Sequence, residues 1–255
     1  GLDDTFHETP RDLLFAFVED PRTWADGLDR GDPEAVEQLT RALAIRGIGT
    51  GIAGTTACLS GVEHLVSHML DMLAGARGFE VGKHGAQVGA ASVIGATIWR
   101  IFTERLASGN PVPERPDLDK AGDEVRSAFA GLDAQGALAA ECWSDYAAKL
   151  RAIEANFPNI ESAVSRMRVG HGPLSRLPDP EMLAQGLILA GSPVGREALE
   201  PWVDVETWKW AIRNCHMMRN RFTVIDLMQL LGWWNDEIVE ETLERASGII
   251  EGATA

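Results

Sequence analysis

The stretch SGVEHLVSHMLDM, residues 60–72, sets two histidines four apart and an aspartate three further on, within an apolar run. At about 100° per residue, His64, His68 and Asp71 fall on one helical face. Leu65, Met69, Leu70 and Leu73 give the same helix an apolar side. Spacing alone leaves two readings open: a metal-binding face, or histidines packed into a core.

The helical period continues in both directions, and no stretch alternates with period two. Thr9 before Pro10 and Asp32 before Pro33 each read as an N-cap followed by proline at the first helical position. Further helices are predicted over His64–Leu73, Ala86–Leu106, Leu118–Phe129, Ala137–Asn156, Ile160–Met167, Pro180–Ala190, Val205–Met217, Val224–Leu231 and Asp236–Gly248. Proline and glycine break the pattern at 108–117 and 169–180, and neither break is long or polar enough for an interdomain linker. The expectation is an all-α fold in which residues 1–255 form one helical domain and residues 60–106 form a central antiparallel helix pair. Gly49, Gly51 and Gly54 in GIGTGIAG spell GxGxxG, but the preceding RALAIRG is helical in composition rather than a strand. The context argues against a dinucleotide-binding turn and for small residues that let this helix approach a neighbour closely or let its backbone pass a ligand.

Composition narrows the chemistry. The chain has 255 residues, 45% of them hydrophobic and 24% charged, as in a globular protein. Its formal charge of −15 opposes nucleic-acid and anionic-membrane partners, while leaving room for a local basic pocket. Three widely spaced cysteines, Cys58, Cys142 and Cys215, argue against a disulfide framework and for a reducing, cytoplasmic setting. The N-terminal residues have no signal-peptide pattern, and the apolar run 88–102 falls short of the roughly 20 residues that a membrane span needs.

A second histidine motif, KHGAQVGAASVIGA, begins at residue 83. The unit S-G-x-E-H-x-x-x-H-x-x-D-M followed by H-G-x-Q-V-G resembles the sn-glycerol-1-phosphate dehydrogenase group of the iron-containing alcohol dehydrogenase and dehydroquinate synthase superfamily. WKWAI and MRNRFTVIDL, near the C-terminus, look like the closing segment of the same group. The resemblance is strong over residues 60–95 and 208–232 and weak between.

This resemblance implies that His64 and His84 bind a divalent transition metal, zinc, iron or nickel, and that His68 serves as the catalytic proton-transfer group beside the substrate. Two neutral imidazoles and a carboxylate leave open positions where a substrate carbonyl is polarised for hydride attack. The implied activity is NAD(P)-linked interconversion of glycerol 1-phosphate and dihydroxyacetone phosphate or a related phosphorylated polyol or ketose. Arg219 and Arg221 are candidate phosphate ligands, because guanidinium forks match phosphate oxygens. Asp71, as an acceptor from His68, and Gln87, one turn beyond His84, are candidate supports for the ligands. Glu63 projects to one side and is expected to face solvent or to pair elsewhere rather than to bind the metal.

The sequence also departs from the group. Its members carry an N-terminal α/β nucleotide-binding domain, expected to be absent from this chain, so that NAD(P) would bind elsewhere and the isolated chain would be inactive. The aspartate ligand of the group's G-x-G-D helix has no counterpart, and Asp3 and Asp4 do not reproduce it. A dehydroquinate-synthase-like sugar-phosphate cyclase and a non-catalytic helical binding or assembly module stay open as alternatives, as does homo-oligomerisation. Trp202, Trp208, Trp210, Trp233 and Trp234 are read as core and subunit contacts, and His7, His171 and His216 as ordinary histidines.

Overall fold

Five aspartates or threonines stop the chain from being one long coil by starting helices where their side chains take up free backbone N–H groups. Asp32 accepts from Glu34, Asp117 from Lys120, Asp179 from Glu181 and Met182, and Asp204 from Thr207. Thr223 and Asp226 form a reciprocal capping box. The computed structural model describes residues 8–56, 60–168, 177, 179–199 and 201–254. Asp3, Asp4, His7, Cys58 and His171 lie outside them.

Among the described residues there are eleven α-helices and no strand. In chain order they are α1 (Glu8–Phe17), α2 (Pro33–Ala53), α3 (Val62–Arg77), α4 (His84–Ser108), α5 (Leu118–Ala128), α6 (Ala137–Ala155), α7 (Phe157–Arg168), α8 (Pro180–Leu189), α9 (Val205–Asn214), α10 (Val224–Leu230) and α11 (Asp236–Thr254). The all-α expectation holds, with shifted ends. Thr9 stands inside α1 rather than capping it, α4 begins at His84 rather than Ala86, and α11 runs through Gly248. No helix among the described residues is long and apolar enough to cross a membrane.

GIGTGIAG closes α2, and Gly54 takes the left-handed conformation that ends it, with φ 65°. A Cβ at Gly49 would stand 3.0 Å from the Cα of Pro10, so the missing side chain lets α1 lie close to α2. The dinucleotide motif is thus a helix-packing device.

The centre of the fold is α4, whose middle, from Gly89 to Ile98 with only Ser92 less enclosed, is buried among α3, α8, α10 and α11. Ser67 of α3 meets Gln87, while Gly95 lies against Val62 and Glu63. Rising numbers on α4 meet falling numbers on α3, which makes the pair antiparallel. An antiparallel hairpin with a tight turn would leave His84 beside the far end of α3. Instead residues 78–83 run back along α3 before α4 begins. Ten residues of helix rise about 15 Å, which six residues of extended chain cover.

Candidate metal and substrate site

That returning loop delivers His84 to the two histidines of α3. The ring centroids of His64 and His84 stand 5.3 Å apart, and those of His68 and His84 5.6 Å apart. His64 is partly buried, whereas His68 and His84 are exposed. The apolar residues of the stripe, Leu65, Met69, Leu70 and Leu73, face the core. The core packing and the histidines thus occupy different sides of one helix.

Second partners fix the two rings. The Ser67 hydroxyl donates to Gln87 Oε1 at 2.7 Å, so it accepts from His84 Nδ1 at 2.9 Å. Ser67 and Gln87 are buried. His64 Nδ1 donates to Glu63 Oε1, also at 2.9 Å, and the same oxygen accepts the Gly61 N–H at 2.8 Å. Each histidine thus carries a proton on Nδ1, and in the neutral ring the lone pair falls on Nε2, the tautomer that a ligand with a supporting carboxylate or hydroxyl adopts. Of its two expected placements Glu63 takes the paired one, its carboxylate partly buried against His64 and Gly61. Burial would raise its pKa, but the hydrogen bonds from His64 and Gly61 outweigh burial and hold it below the usual value. A Cβ on Gly61 would meet Glu63 Oε2 at 2.7 Å, so the glycine leaves room for the carboxylate.

The two imidazoles fit a shared ion. With metal–nitrogen bonds of about 2.0–2.1 Å, each centroid stands about 3.2 Å from the ion, and a tetrahedral angle separates two centroids by about 5.2 Å. The rest of a coordination sphere is not gathered: among the described residues no cluster of three His, Cys, Asp or Glu is arranged to hold a metal.

Asp71 does not form the expected hydrogen bond to His68; its Oδ1 is buried with no hydrogen-bond partner. It acts on His68 only through charge. Burial and the neighbouring His84 push the pKa of His68 down, with Asp71 pulling it up and Arg219 adding to the fall. Gln87 reaches His84 through Ser67, whose hydroxyl donates to Gln87 and accepts from His84. Arg219 is half exposed and only loosely paired, 3.7 Å from Asp145. Arg221 is committed elsewhere: its Nη1 donates to the Ser60 carbonyl at 2.9 Å, clamping the entry to α3.

Beneath this surface lies a network that sequence reasoning missed. Lys149 is fully buried, with Nζ 2.6 Å from Asp226 Oδ1. It also donates to the carbonyls of His216, at 2.5 Å, and Arg221, at 3.1 Å. The segment carrying Arg219 is held at both ends by one ammonium. Burial pushes the Lys149 amine down and the Asp226 carboxyl up, while each charge opposes the other's shift. His216 is fully buried and meets Tyr146 edge to face. Trp208 and Trp234 are core residues, whereas Trp202 is exposed.

The chain is 37% identical over 109 residues to a protein of Natronomonas pharaonis, a match covering 42% of this chain and 25% of the relative. The likeness is to glycerol-1-phosphate dehydrogenases. That protein is named glycerol-1-phosphate dehydrogenase [NAD(P)+], as are relatives from Thermococcus kodakarensis and Caldivirga maquilingensis. The first of these two is 32% identical over 109 residues, covering 43% of this chain and 28% of the relative. The second is 43% identical over 67 residues, covering 26% and 19%. The match spans about a quarter of the length of the first glycerol-1-phosphate dehydrogenases found. No protein-family profile matches the chain, and no solved structure does.

Proposed function

We propose that this chain provides the metal- and substrate-binding half of an NAD(P)-linked dehydrogenase of glycerol 1-phosphate, dihydroxyacetone phosphate or a related polyol phosphate. The observation that carries the reading is the pair His64 and His84, 5.3 Å apart, with both Nδ1 atoms engaged. The relatives' shared name supports the substrate class and the nicotinamide cofactor. Because the described residues contain no strand, the reading assigns NAD(P) to a unit outside them.

His64 and His84 would hold zinc, iron or nickel through Nε2, and such an ion supplies Lewis acidity toward the substrate's oxygen. Glu63 and Ser67 orient the two rings. His68, on the exposed side, exchanges a proton with the substrate hydroxyl through its imidazole. Arg219 binds the phosphate, and Arg221 holds the loop that places Arg219. Cys142 and Cys215 are free thiols, which suits the reducing cytoplasm that the reading assumes.

Calorimetric titration with zinc tests the assignment. One site per chain is expected, with affinity lost in His64→Ala and in His84→Ala. Equal binding by the parent and both variants sinks it. The isolated chain is expected to turn over no NAD(P)H, and metal-dependent oxidation by the purified chain alone overturns the division into halves.

A further inference from the structure

Behind the histidines, on the other side of Gln87, the structure holds a cavity of about 370 Å³ that the dehydrogenase reading does not use. It lies between the C-terminal half of α3, the returning loop 78–83 and the segment before α9. Its size falls within the range of about 300–1,000 Å³ usual for small-molecule sites. Leu70 and Leu73 form an apolar floor, while Phe79 and Trp202 stand at the mouth with 53% and 69% of their surface exposed.

Two cations, Arg77 and Lys83, line the same cavity, and neither forms an ion pair among the described residues. One carboxylate, Glu80, shares the lining. Asp204, within electrostatic range of Arg77, is occupied with the Thr207 N–H at 2.7 Å. Lys83 also occupies the N-cap of the 25-residue α4, where its side chain makes no capping bond and the helix end is electropositive.

We propose that this cavity is a binding site for a planar aromatic anion, its ring stacked on Trp202 and its phosphate or carboxylate held by Arg77 and Lys83. A flat indole face accepts a ring with little regard to its identity, and two ungrouped cations select for negative charge. The site is separate from the metal pair, but Gln87 touches both: its Oε1 accepts from Ser67, which supports His84, while its side chain lines the cavity.

The probe is adenosine 5′-monophosphate, titrated into the full chain by calorimetry without added metal, beside adenosine and inorganic phosphate. The monophosphate should bind saturably and at least about tenfold more tightly than either fragment. Trp202→Ala should weaken it by about tenfold, since stacking on an aromatic side chain is worth that much. Arg77→Gln/Lys83→Gln should bring its affinity down to that of adenosine. These side chains are exposed, and an unchanged far-ultraviolet circular dichroism spectrum verifies that each variant is folded. No binding at millimolar monophosphate, equal binding of monophosphate and phosphate, or binding that survives both sets of substitutions overturns the proposal. So does concentration-dependent dimerisation abolished by Trp202→Ala without any monophosphate binding, which would make the aromatic mouth a contact between chains. Loss of zinc binding in His64→Ala leaves this test untouched, so the two readings fail separately.

Discussion

The histidine cluster and the Lys149–Asp226 pair are linked through Arg221, which donates to Ser60 and whose carbonyl accepts from Lys149, and they are built in opposite ways. The cluster uses its buried groups, Ser67, Gln87 and most of Glu63, to orient rings whose outer nitrogens have no partner among the described residues. The lysine spends everything inward, on one carboxylate and two carbonyls. Where the protein leaves lone pairs unsatisfied at an accessible place, chemistry with a ligand becomes available. Where it encloses a charge, the gain is position, here the placement of the segment bearing Arg219.

The contrast breaks most readily at the lysine. Lys149→Met leaves Asp226 charged and enclosed, a change that costs about 3–5 kcal/mol when a buried pair loses one member. Urea unfolding of Lys149→Met beside Lys149→Met/Asp226→Asn separates the causes. The double variant should recover part of the loss, because the uncompensated carboxylate is gone while the carbonyls of His216 and Arg221 still lack their donor. If the single variant loses less than about 1 kcal/mol, water reaches the pair and the inner network is no anchor.

The cluster should respond the other way, losing ligand affinity while stability holds. Glu63→Gln keeps the shape but replaces the charge that faces His64 Nδ1, and Gly61→Ala pushes a methyl to where Glu63 Oε2 now stands. Each should weaken zinc binding by about 10–100-fold, as loss of a ligand's supporting partner does. Unfolding midpoints should stay close to the parent's for Glu63→Gln. A fall in stability with unchanged zinc affinity would make Glu63 a packing residue and erase the distinction between the two layers.

How legible each layer was follows from how it announces itself. His64, His68 and His84 are rare residues in paired motifs, and the capping aspartates at 32, 117, 179 and 204 mark their helices plainly. The start of α4 was misplaced by two residues because His84 and Gly85 are weak helix formers, held there by the packing of Gln87 under Ser67. For Glu63 the sequence leaves both solvent and a partner open, because the angle of its Cβ says nothing about a side chain that folds back to its neighbour. Lys149 left a usable sign: it interrupts the apolar series Cys142, Tyr146, Leu150 and Ile153 on the buried face of α6. Asp226 carried another in T-x-x-D before an apolar run. Neither sign says that the two meet, since 77 residues of chain separate them. Only the tertiary fold supplies that contact.

The smallest expected effect concerns the exposed counterpart of the buried pair. Arg100 of α4 holds Glu181 of α8 through both carboxylate oxygens, with Nη1 2.6 Å from Oε1. The Arg100 hydrogen bonds lower the Glu181 pKa from 4.5 to about 2. Depressed in the folded state, this carboxyl contributes stability that is fully present above the unfolded value of 4.5 and is lost as pH falls toward about 2. Nearly half of the Glu181 side chain is exposed, so solvent screening leaves the contribution at about 1 kcal/mol or less. Glu181→Gln should therefore change stability little at neutral pH and flatten its decline between about pH 4.5 and 2, as read by thermal unfolding across that window. High salt should erase the difference for Glu181 and spare that for Lys149, because screening reaches a surface pair and not an enclosed one. If salt affects both alike, ions in solvent reach the inner pair as well, and depth is not what separates the two ion pairs.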